Sequence, residues 1–182
     1  QGFAYGSGMG TNHHYGYQIR KIYTTAWLMR KAILKSSRRD DILKTLLFWS
    51  ALQETRRPCA EIRDEMLDSW NTLLQPKLIS AMMIPDECAR VQALHGLSRW
   101  VSGSVNCTPG TIGGIKVDGT TFHHGGFYPA YTTGALATVS DYIAMTGGTE
   151  FVPSLEARRL LASAFTAMRN YSNLIEWSTG LG

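Results

Sequence analysis

Apolar residues recur every three to four positions over most of the chain, and the breaks in that rhythm divide it. Ile19, Ile22, Tyr23, Ala26, Trp27, Ile33 and Leu34 share one face of an amphipathic helix over about 17–36. Ser36-Ser37 and Asp40-Asp41 end it and open a second helix, carried by Ile42, Leu43, Leu46, Leu47 and Trp49 to about Gln53. Pro58 closes the connection, and Ile62, Met66, Leu67, Trp70, Leu73 and Leu74 predict a third helix. Pro76 lacks an N–H, so it breaks or kinks that helix before Leu78, Ile79, Met82 and Met83 continue it. Pro85-Asp86 is a start signal with Asp86 as N-cap, and Val91, Leu94, Leu97, Trp100 and Val101 fill a helix to about Ser102. Helix resumes at about 134–146, stops at Gly147-Gly148, and restarts behind Ser154 as N-cap, running to about Asn170. The pattern is an all-α chain of antiparallel helical hairpins, with Trp27, Trp49, Trp70 and Trp100 expected in the core.

Two segments lack the helical period. Residues 1–16 and 103–133 are rich in glycine and aromatics, the second with Pro109 and Pro129 and a short hairpin expected near 111–124. A loop of that length inside a domain is either functional or disordered. Phe122, Phe127, Tyr128 and Tyr131 argue for order.

Composition narrows the classes. The 182 residues make one domain or part of a larger one, and 44% hydrophobic against 18% charged residues supports a packed core. The apolar runs are too short and too broken by charge for a membrane-spanning helix. The sequence begins at Gln1 with no basic-then-apolar leader, which reads as a mature product or an excised piece. A net charge of +4 and a pI of about 9.1 suit an anionic partner such as an acidic polysaccharide. Nucleic acid needs a basic stripe, and Arg38-Arg39 is followed at once by Asp40-Asp41. Cys59, Cys88 and Cys107 form no CxxC, and their odd number implies a free thiol rather than a disulfide framework.

The histidines hold the chemistry. His95 lies in a helix and reads as structural, whereas His13-His14 and His123-His124 sit as adjacent pairs in the two glycine-rich segments. Adjacent imidazoles diverge and no HxxxH or HExxH supports them, so no metal site is expected. Instead, His124 and Tyr131 are joined by a Gly-Gly…Pro linker that lets both reach one substrate. Imidazole takes a proton near neutral pH, and a phenol can give or take one, more readily the latter beside a cation.

The phrase Asp118-Gly-Thr-Thr-Phe-His-His-Gly-Gly-Phe-Tyr-Pro-Ala-Tyr131 resembles the catalytic stretch of chondroitin sulfate ABC lyases, members of polysaccharide lyase family 8. Asn12-His-His-Tyr-Gly-Tyr17 is similar to the His-His-aromatic-Gly-Tyr motif of the same enzymes, and Tyr171-Ser-Asn to the stretch before their catalytic arginine. The likeness runs over essentially the whole chain. It departs at Gly125, where some relatives carry Glu, and at His123, where some carry Arg. The family's Gly-Arg-His-Pro motif would begin at about Gly182, and its glutamate lies further on. The resemblance therefore implies the C-terminal half of an (α/α) toroid spanning 1–182, a piece of a larger lyase and inactive alone.

That resemblance implies β-elimination on a glycosaminoglycan, with chondroitin or dermatan sulfate as substrate, hyaluronan as a further candidate, and no cofactor or metal. Tyr131 would be general acid, and base for glucuronate, with His124 as its partner. His13 and His14 would serve iduronate from the opposite side. Asn12, Tyr15, Arg20, Lys21 and Tyr128 would contact an anionic polysaccharide, and the parent would be periplasmic or secreted. The alternative is a carbohydrate-binding helical module without catalysis. Hydrolysis needs paired carboxylates, and the two motif loops offer only Asp118.

Overall fold

The computed structural model describes residues 14–59, 66–170 and 172. Asn12, His13 and the beginning of the third expected helix lie outside the described residues.

Helix α1 (Gly16–Leu28) and the short α2 (Arg30–Lys35) fill the first expected helix, with a break at Met29. Helix α3 (Arg39–Trp49) carries Asp40 and Asp41 in its first turn, where the helix dipole favours them. It leads into a 3-10 turn, Leu52–Arg56. Helix α4 (Met66–Asp68), a π-helical turn (Ser69–Leu73) and α5 (Leu74–Met82) then form one continuous stretch. Pro76 does not break it. The wider π turn falls on the residues whose carbonyls the proline ring would otherwise strike, one turn upstream. Helix α6 (Glu87–Ser104) starts where Asp86 caps it, the Oδ1 accepting from Ala89 N at 2.7 Å.

The 66–82 stretch is buried on nearly all sides and divides its apolar residues between two cores. Leu67, Trp70, Leu74 and Leu78 join Leu97, Trp100, Ala135, Leu136, Val139, Leu161 and Ile115. Leu73, Ile79 and Met83 instead meet Ile19, Tyr23, Ala26, Leu43 and Leu46. Trp70 and Trp100 are buried as expected, while Trp27 and Trp49 are only half-buried at the edge of the second core. Ile22 and Leu28 face outward, so the stripe on α1 is narrower than its apolar positions suggested, and Phe48 on α3 is exposed as well.

Between α6 and α7 lies an ordered three-stranded antiparallel sheet, larger than the expected hairpin: β1 (Gly114–Ile115), β2 (Thr121–His123) and β3 (Gly126–Phe127). Asp118 Oδ1 accepts from Thr120 N at 2.9 Å and Thr120 Oγ1 at 2.7 Å, so the Asp-Gly-Thr phrase is an Asx-type turn joining β1 to β2. The Lys116 ammonium clasps the carbonyl and hydroxyl of Thr108 at 3.2 and 2.9 Å and lies 4.8 Å from the Phe122 ring. Helix α7 (Pro129–Thr146) begins five residues earlier than the periodicity indicated, with Pro129 in its first turn. Helix α8 (Leu155–Asn170) follows Ser154, whose Oγ accepts from Ala157 N at 3.2 Å.

Two glycines let neighbouring helices close on the π turn. A Cβ at Gly16 would lie 2.4 Å from Thr72 Oγ1, and one at Gly134 would lie 3.0 Å from Asn71 Oδ1. Gly16→Ala is expected to push α1 off the π turn and cost about 1–3 kcal/mol, as overpacking does. Thermal or urea denaturation checks this, and an unchanged midpoint would contradict the packing. Deeper in the same stretch, Lys77 Nζ is buried against Glu54 Oε2 at 3.0 Å and Ser69 Oγ at 3.1 Å. Burial pulls the Lys77 ammonium below its usual value and Glu54 pulls it back. Glu54→Gln leaves that cation without its counter-charge and should destabilise by about 3–5 kcal/mol, read from the same curves.

Candidate active site

The two motif segments meet over the π turn. His14 lies just before α1 and Tyr17 in its first turn. Tyr131 stands in the first turn of α7, so it sits on a rigid helix rather than in the loop where the sequence had placed it. Tyr131 OH is 3.3 Å from His14 Nε2 and accepts a hydrogen bond from Tyr17 OH at 3.1 Å. Asn71 Nδ2, on the π turn, donates to Tyr17 OH at 2.7 Å. The Tyr131 proton is given to Asp68 Oδ1. A directed chain thus runs from Asn71 through Tyr17 and Tyr131 to Asp68.

Asp68 is the residue that sequence reasoning missed. Its carboxylate is wholly buried, with Oδ1 3.3 Å from His14 Nε2 and Oδ2 3.7 Å from His123 Nε2. The sequence signal was faint: an acid between Met66-Leu67 and Trp70 stands where an apolar stripe leaves no room for a solvated charge.

The geometry of β2 sorts the second histidine pair. Strand side chains alternate between faces, so Thr121 and His123 point inward while Phe122 points away. His123 pairs with Gly126 across a two-residue turn in which His124 and Gly125 both take positive φ, 52° and 76°. His123 is therefore buried and stacks on Tyr131, ring centroids 4.4 Å apart and 17° from parallel. His124 is exposed, lies over His123 at 3.8 Å, and has its ring 6.4 Å from that of Tyr131. Tyr128 completes the group with its ring 5.5 Å from Tyr131.

The other expected contacts separate. Tyr15 does not join the cluster. Its ring packs edge-on to Trp49 at 5.7 Å, because one helical step turns it about 100° from its neighbours. Arg20 is exposed, with its guanidinium 5.5 Å from the Tyr17 ring, and borders a recess of about 130 Å³ with Asn71, Gln75 and Asp141. Lys21 is exposed on α1. His95 lies on α6, 3.6 Å from Glu150 and edge-on to Phe151. A larger recess of about 940 Å³ lies elsewhere, lined by Phe48, Arg56, His95 and Arg99, and contains none of the clustered acid–base groups. Among the described residues no group of three or more His, Cys, Asp or Glu is arranged to hold a metal.

Burial and the hydrogen-bond chain together keep Tyr131 protonated. Burial, then the bonds to Asp68 and Tyr17, push its phenol well above the ordinary value. The sequence had looked to a cation that would lower it, whereas the charged group that accepts its hydrogen bond is an anion. Tyr131 therefore holds its proton through the range where exposed tyrosines ionise, about pH 10. The unfolded chain releases that proton near pH 10 and the native state does not, so stability from this site is lost as pH rises past that value. An absorbance titration of tyrosinate should be unaltered by Tyr131→Phe up to about pH 10.5. Loss of an ionising tyrosine below that point would contradict the assignment.

Comparison with other proteins bears on what this arrangement belongs to. A chondroitin sulfate ABC exolyase of Bacteroides thetaiotaomicron is 34% identical over 177 residues, covering 97% of this chain and 17% of the relative. An exolyase of the same description from Proteus vulgaris is 31% identical over 172 residues, covering 94% and 17%. A chondroitin sulfate ABC endolyase from Proteus vulgaris is 29% identical over 175 residues, covering 95% and 17%. The chain thus spans about 17% of the length of these relatives. The family described as "Lyase, catalytic" matches residues 1–182, which include both segments that converge on Tyr131, and the chain belongs to that family.

Proposed function

We propose that this chain is the C-terminal half of a helical toroid in a glycosaminoglycan lyase, and that it supplies the proton-transfer groups for β-elimination of chondroitin or dermatan sulfate. The observation that carries the reading is the meeting of His14 and Tyr131 at 3.3 Å from segments over one hundred residues apart. The similarity to chondroitin sulfate lyases supports the substrate class. The chain's net charge of +4 suits an anionic polymer. Such a polymer would be met in the periplasm or outside the cell.

The elimination removes the C5 proton of the uronate, breaks the bond from C4 to O4, and places a double bond between C4 and C5. The departing O4 takes a proton and becomes the hydroxyl of the released sugar. The C5 proton is too weakly acidic to leave until the uronate carboxylate is neutralised, so stabilising the enolate-like intermediate is the largest demand on the site. Tyr131 arrives with its proton in place, which fits donation to O4 directly. To act also as base on glucuronate it must first give that proton up. Exposed His124 is open to a polymer in solvent and would face the uronate carboxylate or take a proton. His14 approaches the tyrosine hydroxyl from the α1 side, where the C5 proton of the epimeric iduronate would be presented. Tyr128, beside Tyr131, would serve as a stacking ring and Arg20 as a sulfate partner.

In the full-length parent, Tyr131→Phe should lower turnover by about 10²–10⁴-fold or more, because it keeps the ring and removes the transferable proton. His14→Ala should fall harder on dermatan than on chondroitin. Absorbance of the unsaturated product near about 232 nm, where a conjugated uronate absorbs, reads both. Wild-type turnover by Tyr131→Phe would overturn the reading, and sugar binding without product would favour a binding module.

A further inference from the structure

The elimination gives tasks to the phenol and the imidazoles of the cluster and none to its buried anion. Asp68 is a costly residue where it stands, since moving a carboxylate out of water carries a penalty of several kcal/mol. A phenol and two imidazoles surround it: Tyr131 on Oδ1, His14 Nε2 at 3.3 Å from Oδ1, and His123 Nε2 at 3.7 Å from Oδ2. It cannot serve the substrate directly. Its side chain is fully enclosed, and an anion repels a sulfated, carboxylated polymer. Any effect it has on the reaction must pass through the rings around it.

We propose that Asp68 is the positioning residue of this site, its single carboxylate fixing which atom of Tyr131 and of His14 faces inward with its hydrogen. The role rests on the lyase reading and adds a residue to it. The carboxylate accepts and cannot donate, so it selects the partner geometry that offers hydrogen. For His14 that is the tautomer with hydrogen on Nε2, which leaves the basic lone pair at Nδ1, on the far side of the ring from Asp68. A base held by an acceptor behind it is the arrangement that makes imidazole effective in other proton-transfer enzymes. For Tyr131 the acceptor holds the hydroxyl hydrogen in a defined direction while Tyr17 OH occupies one lone pair at 3.1 Å. The π turn that begins at the next residue sets the carboxylate at this spot, and Thr72 Oγ1 ties down the Asp68 carbonyl at 2.8 Å.

Asp68→Asn in the full-length enzyme tests this, because asparagine keeps the shape and loses the charge. It also presents an amide N–H that can invert the His14 tautomer. Among the described residues, the titratable and charged groups facing Tyr131 are Asp68 from α4, Tyr17 from α1 with Arg20 near its ring, His14 before α1, His123 and His124 from β2 and its turn, and Tyr128 beside it. Removing the anion lets the phenol ionise more readily, so the alkaline limb of the pH–rate profile should move to lower pH. Turnover should fall by at least about 10²-fold with KM within about threefold, and the loss should be greater on the iduronate polymer. A folded variant with turnover within threefold and an unmoved alkaline limb overturns the proposal. If Asp68→Asn does not fold, Asp68→Glu is read instead. It keeps the charge and displaces it by one methylene, so the alkaline limb should stay while turnover drops at least tenfold. Wild-type turnover there overturns the proposal equally. Tyr131→Phe, measured alongside, separates the two levels: an active Tyr131→Phe enzyme defeats the lyase roles themselves, whereas an inactive one beside an unaffected Asp68→Asn enzyme defeats only the role given to Asp68.

Discussion

Asp68, Ser69, Thr72, Lys77 and Ser80 all lie on one helical stretch that is enclosed by protein, and none of them can turn to water for a partner. Each unpaired polar group there would cost on the order of 1–3 kcal/mol, and a charge more. The surrounding elements are therefore tied to this stretch at fixed points. Lys77 holds the 3-10 turn through Glu54 while also donating to Ser69 Oγ. Ser80 Oγ donates to the Leu46 carbonyl of α3, which also accepts from Tyr23 OH of α1 at 2.7 Å. Asp68 collects Tyr131 from α7, His14 from before α1 and His123 from β2. The apolar cores supply the driving force for packing, but these polar ties decide the angles at which the elements arrive.

The convergence of the site follows from those ties together with two close approaches. At Gly16 and Gly134, α1 and α7 come close enough to the π turn for Tyr17 and Tyr131 to touch across it. The sheet brings the last member. Lys116 fastens β1 to the 108–112 loop, the Asx turn returns the chain into β2, and strand alternation turns His123 inward. The alternation of β2 thus determines which imidazole of an adjacent pair stacks on the tyrosine, and Lys116 helps to hold the sheet that carries it.

Much of this was legible in the sequence. The helices and the caps at Asp86 and Ser154 follow from short-range rules that the residues themselves obey, whereas the histidine and tyrosine candidates rested on the motifs' resemblance to a lyase family. The features that escaped were matters of facing. Tyr15 and Tyr17 stand in the same motif, yet the helix sends one ring to Trp49 and the other to Tyr131, and composition does not distinguish them. The start of α7 at Pro129 was hidden because Tyr128, Pro129 and the following threonines carry no apolar period. Asp68 was missed for a different reason: a lone acid in a helix is ordinarily solvated, and only its apolar neighbours hinted that its oxygens turn inward. Ile22 widened the apparent stripe of its helix without entering either core.

The π turn at Ser69–Leu73 has a consequence for how such a sequence varies over time. A π turn holds one residue more than the α-helical turn it replaces and winds through about the same angle, so the helices before and after it keep their phase. The extra residue is taken up as width, which clears the carbonyls ahead of the Pro76 ring. Losing a single residue of the turn would leave Asp68 and Lys77 facing as they do, but would close the backbone onto that ring. A shortened turn is therefore compatible with this fold only once the proline has gone.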